Sequence, residues 1–453
     1  MNASLKARML KAAAWLVGGN LSSQLLRLIS NLILTRLLVP EAFGLVAAVN
    51  TLYFGLVMFS DLGVWQSVVK SRHGEEARFL GTAWTVQLLR GLLLAAVVLA
   101  LALALVLAAQ AGMFAAGTVY ADARLPPMMA LFALCALLQG LESMKLGLAQ
   151  RDLQLGRLAR LELGSQLGAM AVTLALAWAT RSVWALLIGT LAGSALRTLL
   201  SHWYLPGRSA RPCWDRASAH EIIGFGKWIF VSSIIGFLAA HGEKIILGGS
   251  LSAATFGVFS IASTLLAAVV GVYGSLNGHV IFPSLSLALH GEDRAEAARV
   301  YTRVQQLADL LLGALAGGLL LSGQWVVWLL YDARYHEAGW MLQWLGLGLL
   351  AMRYQVVEQL MFARGQPAWV SANNALRALS LIACIPAGFA LAGERGAIAG
   401  VVVSQFASWP LSLLFKHRQG LLRWATEKWW PPALGLGLLA GWALDTAFSA
   451  WLR

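Results

Sequence analysis

GLLLAAVVLALALALVLAA, residues 91–109, decides the fold class: nineteen consecutive residues carry no charge and no hydrogen-bonding side chain. As an α-helix such a run covers about 28 Å, close to the roughly 30 Å hydrocarbon core of a bilayer. A surface helix of a water-soluble protein keeps one polar face, and this one has none. Outward from it, apolar runs predict helices near residues 12–37, 43–69, 80–108, 127–149, 162–180, 183–204 and 225–249. Six more follow near 255–282, 304–323, 340–362, 374–392, 397–415 and 432–452, for thirteen spans in all. The whole 453-residue chain agrees, at 59% hydrophobic, 12% charged and a mean hydropathy of +0.70. A soluble domain carries about a quarter charged residues.

The formal charge of +13 raises nucleic acid as a partner, but the basic residues stand in short clusters between apolar spans, where they act as topology signals. Alternate loops hold Lys70, Arg72 and Arg78; Arg151, Arg157 and Arg160; Arg208, Arg211 and Arg216; then Arg294, Arg299, Arg303 and Arg364; then Lys416, Arg418, Arg423 and Lys428. The opposite loops carry single cations such as Arg124, Arg181, Arg334 and Arg395. The positive-inside rule therefore predicts a cytoplasmic N-terminus, and Lys6, Arg8 and Lys11 precede an uncleaved first helix rather than a signal peptide. No soluble domain remains to bind nucleic acid. Cys135, Cys213 and Cys384 lack the close spacing of zinc or redox motifs, so neither metal nor cofactor is expected.

An internal repeat organises the spans. Trp15, Phe43 and Gly44 recur at a spacing of 213 as Trp228, Phe256 and Gly257, Leu32-Ile33-Leu34 answers Ile245-Ile246-Leu247, and His73-Gly74-Glu75 returns as His290-Gly291-Glu292. The expected architecture is all-α: a polytopic membrane helix bundle of two six-helix halves, residues 1–204 and 225–415, joined by a cytoplasmic linker, 205–224. Residues 416–453 add a cytoplasmic segment and one further helix. An even number of spans per half predicts a pseudo-twofold axis along the membrane normal, with a transport site between the halves.

The run Asn31-Leu-Ile-Leu-Thr-Arg-Leu-Leu-Val-Pro-Glu-Ala-Phe-Gly44, followed by Asp61-Leu-Gly63, resembles the opening signature of polysaccharide transporters. These are the Wzx-like oligosaccharide flippases of the multidrug/oligosaccharidyl-lipid/polysaccharide exporter superfamily. The stretches Glu243–Gly249, Leu141-Glu142-Ser143 and Ala149-Gln150-Arg151 are similar too, although Glu243-Lys244 departs from the acidic position the pattern suggests. The resemblance implies a carrier, not an enzyme, in a bacterial inner membrane. It would move an oligosaccharide linked to polyprenyl diphosphate, among membrane lipids and polysaccharide-assembly proteins. A drug exporter of the same superfamily is the alternative. A membrane glycan polymerase or ligase is a third, disfavoured by short outer loops and the absence of any D-x-D pair. No P-loop sequence occurs, so drive would come from a gradient or from consumption of the sugar.

Residues that could serve such a carrier are polar ones inside the spans. Asn20, Gln24, Arg27 and Asn31 fall within an arc of roughly 60° on the first helix. An arginine at a helix centre in lipid costs about 2.5–3.5 kcal/mol, so this stripe is predicted to face a wet cavity or a partner. Arg27, Arg90 and Arg353 are the candidate diphosphate ligands, because a guanidinium forks two donors onto phosphate oxygens. Arg197, Lys227 and Arg377 are read as snorkelling at span ends, and Glu142 with Lys145 as a local i,i+3 pair. Asp61, Asp309 and Glu358 are candidates for an ion-coupled step, with salt bridging to nearby arginines as the alternative. The Gly-xxx-Gly pairs 313/317 and 437/441 permit close helix approach, in a chain so rich in glycine that chance pairs are expected.

Overall fold

The computed structural model describes residues 3–207, 209–290, 294–423 and 427–451, and every regular element among them is helical. Arg208 and Gly291-Glu292 lie outside the described residues, as do the side chains of Lys6, Arg8, Lys11, Lys227, Trp228, His290 and Arg294. The chain divides into two compact units, Met1–Ile234 and Ile235–Arg453.

The first unit holds α1 (Ala3–Leu37), α2 (Pro40–Phe59), α3 (Val64–Lys70), α4 (Ala77–Gln110), α5 (Leu125–Leu141), α6 (Lys145–Arg151), α7 (Leu155–Thr180) and α8 (Trp184–Trp203). α9 (Arg216–Gly248) contains the unit boundary. Asp215 starts this helix inside the stretch read as linker, since its carboxylate accepts the Ser218 N–H at 2.9 Å, the usual N-cap bond. The second unit continues with α10 (Ala253–Leu276), α11 (Phe282–His290), α12 (Arg294–Leu330), α13 (Ala338–Ala351), α14 (Gln355–Ala363), α15 (Pro367–Gln405), α16 (Trp409–Arg418) and α17 (Trp430–Trp451).

Among the described residues eight helices are long and apolar enough to cross a membrane, or nine if the pair α5 and α6, bent by 58°, is one span. The sequence reading has thirteen; α9, the span read at 225–249, is not among the eight or nine, and the other three differences have physical causes. α1 is lowered in hydropathy by its own polar stripe. α13 and α14, of 14 and 9 residues, are pieces of one interrupted span. α15 is two helices, because the chain turns back at Ala392 and Gly393, where Gly393 takes φ +59°. The returning arm packs so closely that a Cβ on Gly400 would meet the backbone at Cys384 and Ile385.

α4 shows which solvent the surface is built for. Its outward side chains Leu89, Leu92, Leu93, Leu99, Leu103 and Leu107 are each at least half exposed, while its packed face is Ala83, Val86, Gly91, Leu94, Ala95 and Val98. Bulky apolar groups outside and small ones inside reverse the order of a soluble helix and suit a helix solvated by lipid. Small residues set the closest approaches. A Cβ on Gly91 of α4 would lie 2.7 Å from the Gly140 Cα of α5. The Gly-xxx-Gly pairs of α12 and α17 meet each other: a Cβ on Gly313 would lie 2.8 Å from that of Ala433, and one on Gly441 would lie 2.9 Å from the Gly318 carbonyl oxygen. The two pairs are therefore one helix interface rather than chance matches.

The repeated sequence elements take equivalent positions in their own units. Phe43 and Gly44 are the fourth and fifth residues of α2, and Phe256 and Gly257 are the fourth and fifth of α10; all four are buried. In each unit the second span is interrupted, at 60–63 between α2 and α3 and by a π-helical turn at 277–281 between α10 and α11. The fourth span is interrupted as well, at 142–144 and by a 3-10 turn at 352–354. A further echo, which the sequence reading missed, is the tripeptide Asp-Ala-Arg at 122–124 and 332–334. Each Asp accepts from the Arg backbone and grips its guanidinium, at 2.7 Å for Asp122 and 2.6 Å for Asp332.

Candidate functional site

The polar residues that the sequence singles out fall into three local arrangements. Each follows from how an interrupted or polar helix satisfies its hydrogen bonds where water is excluded, since non-helical backbone at membrane depth must find protein partners.

In the first unit α4 serves two broken spans at once. Gln87 donates through Nε2 to the carbonyls of Gln139 (3.0 Å) and Glu142 (3.2 Å) at the break between α5 and α6. One turn on, Arg90 donates through Nε to the Ser60 hydroxyl (3.1 Å) and through Nη2 to the Val57 carbonyl (2.9 Å), at the C-terminal end of α2. That helix end carries partial negative charge, which a guanidinium complements. Asp61 accepts the Gly63 N–H at 2.9 Å, and Gly63 has φ +61°. Arg90 and Asp61 thus come together at one break. Gln87, Arg90, Gly91 and Leu94 of α4 line a narrow crevice with Gln139 and Gly140 of α5.

The break at 142–144 corrects two readings. Glu142 and Lys145 do not pair, because the helix ends between them and i,i+3 geometry no longer applies. Glu142 instead faces Arg197 at 3.5 Å, and Lys145 donates to the His202 carbonyl at 2.8 Å. Arg197 is not simply snorkelling, since it also approaches Glu162 at 3.6 Å. The freed backbone is otherwise satisfied by α8: Ser201 accepts the Ser143 N–H at 2.9 Å, and the His202 ring lies 2.9 Å from the Leu141 carbonyl.

The second unit contains a buried network of four charges. Arg353, 1% exposed, grips Asp309 with Nε on Oδ1 at 2.7 Å and Nη2 on Oδ2 at 2.6 Å. Its Nη1 donates to Glu427 Oε2 at 2.7 Å. Lys416, with no exposed side-chain surface, pairs with Glu427 Oε1. Gln305 donates to Asp309 at 2.9 Å and to the Arg353 carbonyl at 3.2 Å, so it closes the interruption at 352–354 as Gln87 closes that at 142–144. Glu427 lies outside the spans. Burial works against its ionisation, but Lys416 and Arg353 prevail and hold its carboxyl below the usual carboxylate range. Arg353 and Asp309, predicted separately as ligand and coupling residue, are thus each other's partners. Glu358 lies apart from them, facing Arg377 at 3.5 Å, and Arg377 also donates to Ser408 at 3.2 Å rather than snorkelling. The Glu358 Oε1 is buried without a hydrogen-bond partner, as are Asn373 Oδ1 and Tyr273 OH.

The stripe on α1 differs from both networks. The helix packs on α7 through Gly19, whose added Cβ would lie 3.1 Å from that of Ala159, and through Trp15, stacked on Gly156. Asn20, Gln24, Arg27 and Asn31 are turned about 130° from that contact at 100° per residue. They are turned about as far again from the exposed apolar edge of Leu21, Leu25 and Ile29. Arg27 is exposed, and among the described residues it takes part in no ion pair. Of the three arginines predicted to bind substrate, it is the one whose guanidinium is not engaged.

A family model described as "Polysaccharide biosynthesis protein" matches residues 33–339. The chain is 24% identical over 273 residues to the lipopolysaccharide biosynthesis protein WzxC of Escherichia coli (strain K12), covering 58% of this chain and 54% of that one. It is 20% identical over 294 residues to an uncharacterized membrane protein in the cps region of Klebsiella pneumoniae, covering 64% and 58%. The chain thus spans about half the length of the curated relatives it matches. Its fold is that of an inward-facing multidrug resistance transporter of the MATE family in the MOP superfamily, with a TM-score of 0.70 at 13% identity over 88% of this chain and 95% of that one. It is likewise that of the lipid II flippase MurJ in an inward closed conformation, with a TM-score of 0.64 at 12% identity over 96% and 99%.

Proposed function

Since the chain belongs to the polysaccharide biosynthesis protein family, we propose that this multi-pass membrane protein is a flippase for an oligosaccharide linked to polyprenyl diphosphate. It works in a bacterial inner membrane with its N-terminus in the cytoplasm. The carrier makes and breaks no bond in its substrate. It shields hydroxyls and phosphates that would each cost several kcal/mol in hydrocarbon, while the lipid tail stays in the bilayer. Alternating access supplies the two openings. The source of the substrate and its consumer are membrane-associated polysaccharide-assembly proteins, and membrane lipids are the remaining partners. The likeness in fold to a multidrug transporter would fit a drug exporter equally. The sequence match to a lipopolysaccharide biosynthesis protein favours the glycan.

The observation that carries this reading is the unengaged Arg27 in a polar stripe with Asn20, Gln24 and Asn31, a set suited to an anionic, hydroxyl-rich headgroup. Arg90 and Arg353 belong to the proposed path as well, although their guanidinium groups are already partnered. Asp61, Asp309 and Glu358 remain the candidates for ion coupling, with salt bridging of Asp309 to Arg353 and of Glu358 to Arg377 as the alternative. Complementation of a flippase-deficient strain tests the stripe. Arg27→Ala at normal protein level abolishes glycan export, and Arg27→Lys restores part of it, because an ammonium keeps the charge and loses the planar fork. Full export by the alanine variant would refute the binding role.

A further inference from the structure

In the spanning helix α2 the hydroxyls of Thr51 and of Ser60 at its C-terminal end are satisfied by backbone, Thr51 donating to the Ala47 carbonyl at 2.7 Å and Ser60 to the Val57 carbonyl at 2.9 Å. Asn50 and Tyr53 differ. Asn50, the eleventh of the 20 residues and so at mid-depth, is exposed, and its amide makes no hydrogen bond among the described residues. One turn on, the half-buried Tyr53 has its ring fixed edge-on against the buried ring of Phe132 in α5, centroids 5.1 Å apart, while its hydroxyl is likewise without a hydrogen-bond partner among the described residues. The ring of Phe54, 45% exposed, lies beside them. At 100° per residue Asn50, Tyr53 and Val57 fall within an arc of about 60°. The Val57 carbonyl is the group on which Arg90 Nη2 rests at 2.9 Å. One face of α2 thus carries an amide, a hydroxyl and a guanidinium in line, over about 10 Å of helix.

We propose that Asn50 and Tyr53 form a subsite for the sugar attached to the diphosphate of the substrate, and that this subsite sets which glycan the carrier accepts.

An amide and a phenol hydroxyl without partners are costly against hydrocarbon, so this face of α2 suits a wet or ligand-filled space rather than lipid tails. A pyranose supplies what is missing. Its hydroxyls donate to the Asn50 carbonyl oxygen, accept from the Asn50 amide nitrogen and bond the Tyr53 hydroxyl in either sense, and its C–H face lies on an apolar ring such as that of Phe54. Arg90, next along the same face, gives the ligand a direction, with phosphate at the Arg90 end and sugar at the Asn50 end. Phe132 holds the Tyr53 ring before the ligand arrives, which lowers the entropic cost of binding. Neutral groups that both donate and accept discriminate by position, because a sugar lacking the matching hydroxyl leaves them unpaired. The inference rests on the flippase reading for the class of its ligand.

The test uses the purified full chain in nanodiscs, with geranyl diphosphate, bare or carrying glucose or N-acetylglucosamine, as probes and the calorimetric Kd as readout. Wild type should bind the better glycosylated probe about tenfold more tightly than the bare diphosphate, the surplus that two neutral hydrogen bonds supply. Asn50→Ala and Tyr53→Phe should each lose about three- to tenfold for the glycosylated probe and stay within about twofold of wild type for the bare one. Arg90→Lys should weaken both probes alike. Neither group removed by these variants has an intramolecular partner among the described residues, so both should unfold at the wild-type temperature, and Asn50→Leu should unfold no lower while losing the sugar preference. A lowered unfolding temperature with an unchanged preference would assign Asn50 and Tyr53 to packing and overturn the proposal. Equal affinity of wild type for bare and glycosylated probes, or equal losses for both in Asn50→Ala and Tyr53→Phe, would overturn the subsite and leave the flippase reading standing. Absence of binding to every probe would overturn both.

Discussion

Asp309→Ala isolates the energetics of the buried network. The substitution removes the acceptor of two charge-assisted bonds of 2.6 and 2.7 Å and leaves Arg353, 1% exposed, with one anion among the described residues, Glu427, which Lys416 also needs. Removing one partner of a buried ion pair costs about 3–5 kcal/mol, because the remaining charge stays desolvated. At about 2–4 °C per kcal/mol for a unit of this size, the apparent unfolding temperature should fall by roughly 6–20 °C. The double variant Asp309→Leu with Arg353→Met removes both charges and leaves Glu427 paired with Lys416, so it should recover most of that loss, since apolar replacements of buried pairs are often neutral or better. Thermal unfolding of the detergent-purified variants, followed by tryptophan fluorescence, measures both. A single variant within about 1 kcal/mol of wild type, or a double variant no more stable than the single, would refute the reasoning. Glycan export by the double variant carries separate information: if it stays low while stability returns, Arg353 has a role beyond structure.

Gln87→Leu leaves the Gln139 and Glu142 carbonyls without their side-chain donor, and at about 1–3 kcal/mol for each unsatisfied group it should lower stability, while Gln87→Glu, which turns acceptor oxygens toward the same carbonyls, should cost at least as much; unfolding of the purified variants checks the loss, and an unchanged leucine variant would mean that the break is satisfied in another way. Asp122 and Asp332 are held below the ordinary aspartate value of 3.8, first of all by their side-chain bonds to Arg124 and Arg334. A depressed folded pKa gives stability that is complete above the unfolded value and is lost as pH falls through the folded one, so these turns should weaken only in acid, below about pH 4, and the double Asp→Asn variant should flatten that part of the unfolding-temperature profile. Single cysteines at Arg211 and Arg334 should label from opposite sides of the membrane, the first cytoplasmic; labelling from one side would mean that the number of spans between them is even rather than odd.

Much of the fold was legible in the chain before any tertiary contact was known. Apolar runs located the helices, and the Phe-Gly repeats marked the starts of α2 and α10 because both residues pack where a helix enters. The interruptions were not legible. Nothing in Leu141-Glu142-Ser143-Met144 announces a break, since Leu, Glu and Met all favour helix; the break exists because Gln87, Ser201 and His202 offer its backbone groups other partners. Asp-Ala-Arg at 122–124 and 332–334 was readable as a second repeat and is the signal that was overlooked.

The candidate site divides along the same line. Arg27, Asn20, Gln24 and Asn31 share a face by helical periodicity alone, so their alignment belongs to the sequence. That Arg353 meets Asp309 and Glu427, at separations of 44 and 74 residues, and that Arg90 caps the end of α2 from 33 residues away, belongs to the tertiary structure. Transfer of an apolar side chain from water to lipid is nearly additive along the chain and needs no knowledge of neighbours, which is why composition and periodicity determined that this is an all-helical membrane protein. The free energy of a buried charge depends on which opposite charge and which donors lie within about 3 Å of it, and only the packing of helices distant in sequence decides that.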